Sequence, residues 1–424
     1  MRRDAALALA GLAAAFALTL WLNPWADQRV NDLFVYRSFA DPVLHGGLPY
    51  RDVFLEYPPL AAPAIALPGL AGTGESAFRL AFAGWTFLLA ASVLVLCAAL
   101  AERTGGDRRK AMLAVAAAPL LCGAMIRTHF DLAPVALTLA ALLLIVRDRP
   151  RLGFVVLGAA VMTKGFPLVV VPVALAWLLG RGERRAAIEG AAALALVVVA
   201  LAGLALVISP SGAREAVRYQ LDRPVQVESP PAIVMLALDN VGLGRTTSVN
   251  SHRSDGLEHP AGTALTLGFE LAMLAVVAVL ALRAARRPDP RTLVLASLAA
   301  VAAFAVLGKV LSPQFLIWTL PLGALALAWG EAALAAAVGA ATVLTLAEFP
   351  SRYFDLVARK PLPVAIVGAR DAVLLLVLGL ALRALQAPGT RSWRMAVARP
   401  SPSASTSTAL SHGSSSEVSK RTLV

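Results

Sequence analysis

The feature that most constrains this chain is a series of apolar runs, most of them about 15–25 residues long, divided by short polar stretches. A run of that kind crosses the hydrocarbon core of a bilayer as a helix. No water is present there, so the segment must satisfy its own backbone, and a helix does so within one run. About twelve runs can be read: 5–22, 78–101, 111–126, 132–146, 152–166, 167–180, 186–208, 263–282, 292–307, 314–329, 331–347 and 363–383. The expected fold class is therefore all-α, a polytopic membrane protein. Several runs are short, so broken or tilted helices are expected among them. The first reads as a retained span, because no small-x-small cleavage site precedes Trp21. The run 59–72 is too short and too proline-broken to span, and is expected to lie along the membrane or dip into it.

Composition supports this and excludes other classes. Of 424 residues, 58% are hydrophobic and 15% charged, against roughly 45–50% and 25% in a soluble domain. That excess rules out a soluble enzyme and a disordered chain. Cys97 and Cys122 both lie in apolar runs, so no disulfide framework or thiolate metal site is implied. The net charge of +12 does not indicate nucleic acid, because the cations are dispersed between the runs. The Ser-, Thr- and Pro-rich segment 386–424 reads as a disordered cytoplasmic tail, leaving 1–385 as the membrane domain.

Lys and Arg in short loops set orientation. Arg103, Arg108, Arg109 and Lys110 share one loop; Arg147, Arg149 and Arg151 another; Arg181, Arg184 and Arg185 a third; Arg283, Arg286, Arg287 and Arg291 a fourth. They alternate with loops holding one cation each: Arg127, Lys164 and Lys309. Both ends are then cytoplasmic, and segments 23–77, 209–262 and 348–362 lie outside, in a bacterial plasma membrane.

Chemistry-bearing residues crowd the outer side. Asp32 follows the first span in Asn31-Asp32-Leu33-Phe34-Val35-Tyr36. If the stretch is helical, Asp32 and Tyr36 share a face at i, i+4. The apolar residues between them press it onto the membrane surface, and a partly desolvated carboxylate there is a better base. Spacing leaves a second reading open, an N-cap aspartate starting a surface helix. Tyr50 and Tyr57 have rings that suit the interface or stacking on a sugar. Arg127, Lys164 and Lys309 sit at outer helix ends, each followed by a breaker or a polar cluster. Snorkelling anchors would look similar, but the positive-inside bias opposes cations on this side. Together they could bind an anion, and the natural one at that depth is a lipid phosphate. His129, His252 and His259 lack metal-ligand spacing and read as solvated or hydrogen-bonding. There is no P-loop, no GxGxxG after a strand and no Asp-x-Asp. Nothing calls for a cofactor or a metal, and the energy for any chemistry outside must arrive with the substrate.

These motifs resemble glycosyltransferase family 87, within the GT-C superfamily of multi-pass membrane glycosyltransferases. The resemblance is carried by Asp32-Leu33-Phe34-Val35-Tyr36, Gly47-Leu48-Pro49-Tyr50, Tyr57-Pro58-Pro59-Leu60, and Arg127-Thr128-His129-Phe130-Asp131-Leu132-Ala133-Pro134. It continues in Lys164-Gly165-Phe166-Pro167, Asp222-Arg223-Pro224-Val225-Gln226-Val227-Glu228-Ser229 and Lys309-Val310-Leu311-Ser312-Pro313-Gln314-Phe315-Leu316-Ile317-Trp318. Phe315 stands where the family often has tyrosine, and Gly165-Phe166 where Leu-Tyr is common. The resemblance implies transfer of a sugar, typically mannose, from a polyprenyl-phosphate donor to a lipid- or glycan-linked acceptor. It also implies an aspartate of the first outer loop, here Asp32, as catalytic base. Arg127, Lys164, Lys309 and Arg223 are then expected to hold the donor phosphate, and Tyr36, Tyr50, Tyr57, Asp131 and Gln314 to bind substrate. A transporter or flippase of lipid-linked sugars is the competing expectation. It is disfavoured because mid-span positions read as almost wholly Ala, Leu and Val.

Overall fold

The computed structural model describes residues 2–386. The tail expected from 386 falls, from position 387 onward, outside the described residues.

All twelve apolar runs are helical. Among the described residues, six helices are long and apolar enough to cross a membrane: Arg2–Trp21, Glu75–Arg103, Arg184–Ile208, Gly262–Arg286, Pro290–Leu307 and Pro361–Ala384. The other runs give shorter apolar helices, among them Leu132–Val146, Pro150–Thr163 and Ala332–Glu348. Leu132–Val146 has 15 residues. At 1.5 Å per residue it is about 22 Å long, short of a hydrocarbon core of about 30 Å. Short helices of this kind are interrupted, and the interruptions fall inside the protein, where irregular backbone is tolerated if it lines a cavity. Arg108–Cys122 stops at Gly123, whose φ of 59° no branched residue would adopt, and a turn over Met125–Thr128 leads to Leu132–Val146. Pro150–Thr163 stops at an extended Lys164 before Phe166–Val169 and Val170–Gly180. Pro290–Leu307 stops at Gly308 before Pro313–Phe315 and Leu316–Ala328.

Burial separates lining from core. Pro290–Leu307 is buried along most of its length, so it forms the centre. Arg184–Ile208 and Gly262–Arg286 expose Leu196, Val199, Leu267 and Leu271 instead. An apolar helix with leucines on its open face is solvated by lipid.

The four cation-rich loops meet at one end of the bundle. Trp329 Nε1 donates to Thr104 Oγ1 (2.9 Å), Arg181 to Asp148 (3.1 Å), Trp177 Nε1 to the Asp289 carbonyl (3.0 Å), and Arg291 to Glu331 (2.7 Å). The three helix interruptions gather elsewhere, beneath segments 23–77 and 209–262. The first segment carries helix Leu33–Leu44 and a turn of helix at Ala61–Ala66. The backbone amide of Leu60 donates to the Met162 carbonyl at 2.8 Å, which ties the run 59–72 onto the end of Pro150–Thr163. The second carries helices Pro210–Leu221 and Pro230–Asn240.

It also carries a small antiparallel sheet that the all-helical expectation did not include. Strands Val225–Gln226, Ser254–Glu258 and Thr247–Ser251 lie side by side in that order. The hairpin turns at His252 and Arg253, both with positive φ. That is the backbone of a tight hairpin turn, usually written Asn-Gly, and the residues present here do not advertise it.

Candidate active site

A cavity of about 800 Å³ opens where the interrupted helices meet segments 23–77 and 209–262. Asp32, Glu56, Tyr57, His129, Lys164, Arg223, Lys309 and Gln314 are among the residues lining it.

Asp32 occupies the N-cap position of Leu33–Leu44, yet its side chain makes no capping bond. Asn31 takes that work, its Oδ1 accepting from the Leu33 amide at 2.9 Å. The Asp32 carboxylate is thereby released to the cavity, with a third of its surface open. The Tyr36 hydroxyl, one turn on, donates to its Oδ2 at 3.0 Å. Burial, and then the Asp32 charge, push the Tyr36 hydroxyl well above its usual range, so it stays a neutral donor. The Tyr36 ring is stacked on Phe82, 5.4 Å between centroids, and this fixes the aim of the hydroxyl.

Lys164 is more deeply buried than Asp32. Its Nζ donates to Asp131 Oδ1 at 2.7 Å and lies over four rings: Phe130 (4.9 Å), Trp318 (5.4 Å), Tyr57 (5.5 Å) and Phe315 (5.8 Å). Trp318 Nε1 donates to the same Asp131 oxygen at 2.6 Å. Asp131 is thus a buried counter-charge that fixes the ammonium in a low-dielectric aromatic cup. Lys309 stands on the unwound turn after Pro290–Leu307, its Nζ donating to the Leu221 carbonyl at 2.6 Å. Partial burial pulls its ammonium below the usual lysine range, while Glu270 and Asp222 oppose that. Arg223 and Lys309 also border a second, more open cleft of about 860 Å³, lined by Arg245, Glu258 and His259 but not by Asp32 or Lys164.

The structure gathers Asp32, Lys164, Lys309, Arg223, Tyr57 and Gln314 around one space. It does not bring Arg127 there. That guanidinium is buried against the first helix, donating to the Thr19 carbonyl (2.9 Å) and to Gln28 (2.8 Å). A position at a helix end said nothing about the direction of the side chain, and here it points away. Tyr36, Tyr50 and Asp131 stand one layer back: Tyr36 holds Asp32, the Tyr50 hydroxyl holds the Tyr57 carbonyl (2.7 Å), and Asp131 holds Lys164. Sequence reasoning read His129, which is buried beside Asp32, only as a solvated or hydrogen-bonding histidine, and gave Glu228 no role of its own. It also passed over Arg370 and Asp371, buried ions inside the last long helix, where mid-span positions read as almost wholly Ala, Leu and Val. Among the described residues, no three His, Cys, Asp or Glu side chains gather as a metal site.

A bundle of lipid-exposed apolar helices around a polar, charge-lined cavity defines a multi-pass membrane protein. Residues 54–313 match glycosyltransferase family 87. The match covers more than half of the chain, and the chain belongs to that family. Asp32, Tyr36 and Tyr50 precede the matched segment and Gln314 follows it. No curated protein matches the chain. Two solved structures from Archaeoglobus fulgidus are similar. One is its oligosaccharyltransferase in the apo form, with 13% identity, TM-score 0.42, and coverage of 92% of this chain and 57% of that one. The other is the archaeal oligosaccharyltransferase AglB in complex with an inhibitory peptide and a dolichol-phosphate, with 14% identity, TM-score 0.44 and the same coverage of each chain. This chain spans little more than half the length of either.

Proposed function

We propose that the protein transfers a sugar, mannose in our reading, from a polyprenyl-phosphate donor to a lipid- or glycan-linked acceptor at the outer face of a bacterial plasma membrane. The observation that carries this is the cavity itself: a carboxylate free of any capping bond, Asp32, on the same space as Lys164, Lys309 and Arg223.

Glycosyl transfer places three demands on a site. The acceptor hydroxyl loses a proton as it attacks, and Asp32 takes it, a contribution of about 10²–10⁴-fold. The anomeric carbon develops positive charge, which a nearby carboxylate stabilises. The lipid phosphate leaves with negative charge, and Lys164, Lys309 and Arg223 receive it at low dielectric, where fixed charges act most strongly. With Asp32 as the base that meets the acceptor, the reading is direct displacement with inversion at the anomeric carbon. The cation-rich loops at the opposite end of the bundle support the outward orientation by the positive-inside rule.

The test is incubation of the purified protein with polyprenyl-phosphate-mannose and candidate acceptors, reading released lipid phosphate. Release that depends on acceptor is expected. Movement of intact donor between leaflets without release would support a flippase instead.

A further inference from the structure

We propose that His129 is a proton carrier, which relieves Asp32 of the proton taken from the acceptor. This rests on the reading of Asp32 as base.

His129 sits in the interruption between Met125–Thr128 and Leu132–Val146 and is almost fully buried, yet it lines the cavity. Its tautomer is fixed by its neighbours. Nδ1 lies 3.1 Å from the Met125 carbonyl oxygen and 3.0 Å from Thr128 Oγ1. A carbonyl only accepts, so Nδ1 must carry hydrogen. The Thr128 hydroxyl gives its own hydrogen to the Ala124 carbonyl at 3.0 Å and is left as an acceptor too. Neutral His129 therefore presents a bare Nε2, and Nε2 lies 3.6 Å from Asp32 Oδ2. Two lone-pair atoms facing each other across that distance are mutually unfavourable until a proton arrives. Once one arrives, both favour it.

The transfer balances as follows. The acceptor oxygen bonds to the anomeric carbon while the bond from that carbon to the phosphate oxygen breaks, its electron pair leaving on the phosphate. The acceptor O–H breaks and its proton passes to Asp32. It then moves to Nε2, leaving an imidazolium beside a restored carboxylate, an opposite pair that the buried site favours. The Nδ1 bonds to Met125 and Thr128 are strengthened by the same charge. Tyr36 keeps its own proton and its bond to Asp32. The other titratable groups on this wall are Tyr57 and Glu56 on the adjoining loop, Asp131 two residues along, and Lys164.

The experiment compares His129→Asn, His129→Gln and Asp32→Asn with the unmodified full chain. Asparagine places an amide N–H near Nδ1 and keeps the Met125 bond, but takes no proton. His129→Asn is expected to leave the donor KM unchanged and to lower kcat about 10²-fold. The acid limb of its kcat–pH profile should move to lower pH, because the ring that accepts the proton is gone. Wild-type kcat with an unmoved acid limb in His129→Asn, while Asp32→Asn is inactive, overturns the proton carrier and leaves the base intact. Turnover retained in Asp32→Asn overturns the underlying reading instead. Loss of donor binding in both His129 variants also overturns the proposal, since it makes the imidazole a structural lock.

Discussion

Asp32 and Glu228 border the same cavity, yet their surroundings follow opposite rules. Asp32 has one hydrogen-bond donor from a side chain, Tyr36, and an open face. Glu228 is wholly buried among Glu348, Asp371 and Arg370, themselves nearly free of solvent. Arg370 donates to Asp371 Oδ1 through Nε (3.0 Å) and Nη2 (2.9 Å), and Nη2 also donates to the Glu228 carbonyl. Glu228 Oε2 accepts from Gln226 Nε2 at 3.1 Å, and Gln226 Oε1 accepts from the Ser312 hydroxyl at 3.0 Å. Three acids against one guanidinium would leave a buried excess of negative charge, which low dielectric does not tolerate. Burial, and next the Glu348 charge, push the Glu228 carboxyl well above its usual range, with Arg370 opposing. A proton shared between Glu228 and Glu348 resolves the excess and accounts for oxygens on both that otherwise lack a donor. The difference teaches which acid does what. The open carboxylate can meet a substrate. The buried ones pin segment 222–229 to the last helix and, through Gln226, shape the turn that presents Lys309.

The sharpest way to break this comparison is to remove one charge from each side. Asp32→Asn should abolish transfer, a loss of about 10² to 10⁴-fold, with thermal stability in detergent unchanged. Arg370→Leu should do the reverse at the level of the fold. It strands the acids around it, and breaking a buried pair costs about 3–5 kcal/mol, so little monodisperse protein should be recovered. A stable Arg370→Leu protein would mean that the buried cluster is already neutral without the guanidinium. An unstable Asp32→Asn protein would make Asp32 a structural acid like the others.

These two regions also differ in how far the sequence revealed them. The twelve runs were readable because bilayer thickness imposes a length on apolar segments. Lys164 and Lys309 were readable because a cation beside a helix breaker interrupts an apolar pattern. Asp32 was visible as an acid four residues before a tyrosine, but whether it caps its helix depended on Asn31 winning that bond. Arg127 looked equivalent to the other lone cations, and only the packed first helix shows that it points away. The Glu228 cluster was hidden for another reason. Arg370 reaches a carbonyl 142 positions earlier in the chain, and its neighbours in sequence are a leucine-rich span that dilutes any local signal. His129 read only as a solvated or hydrogen-bonding residue, because its partner is likewise remote and its spacing fits no metal motif. The small sheet was lost because His252-Arg253 takes a backbone usually left to Asn and Gly.

A smaller effect tests whether the cations on the cavity share their work. Lys309→Ala should raise the donor KM about tenfold, the scale of one lost bond to a charged group, and leave the acceptor KM close to wild type. Equal losses for both substrates would mean that the turn at 308–312 had collapsed rather than lost a contact. Lys164→Ala should be more severe, since it also leaves Asp131 buried with only Trp318 as donor.

The smallest effect sharpens the comparison most, because it concerns a single proton. The Glu228 carboxyl is raised above its unfolded value, so its contribution to stability is whole at pH below the ordinary glutamate range and declines as pH climbs from there through the folded value. Glu348→Gln replaces the partner by an amide that carries its own N–H and no charge. Glu228 then has a permanent donor and loses the Glu348 charge, while burial and Asp371 still act on it, so its carboxyl falls part of the way back toward the usual range. The variant should match wild type near pH 5 and lose less stability by about pH 9, as read by thermal unfolding in detergent across that span. Turnover near neutrality should be unaffected, because the amide keeps segment 222–229 pinned. Parallel stability–pH curves for the two proteins would place the proton elsewhere. The excess charge would then have to be met by Arg370 alone, and the contrast with Asp32 would rest on burial without titration.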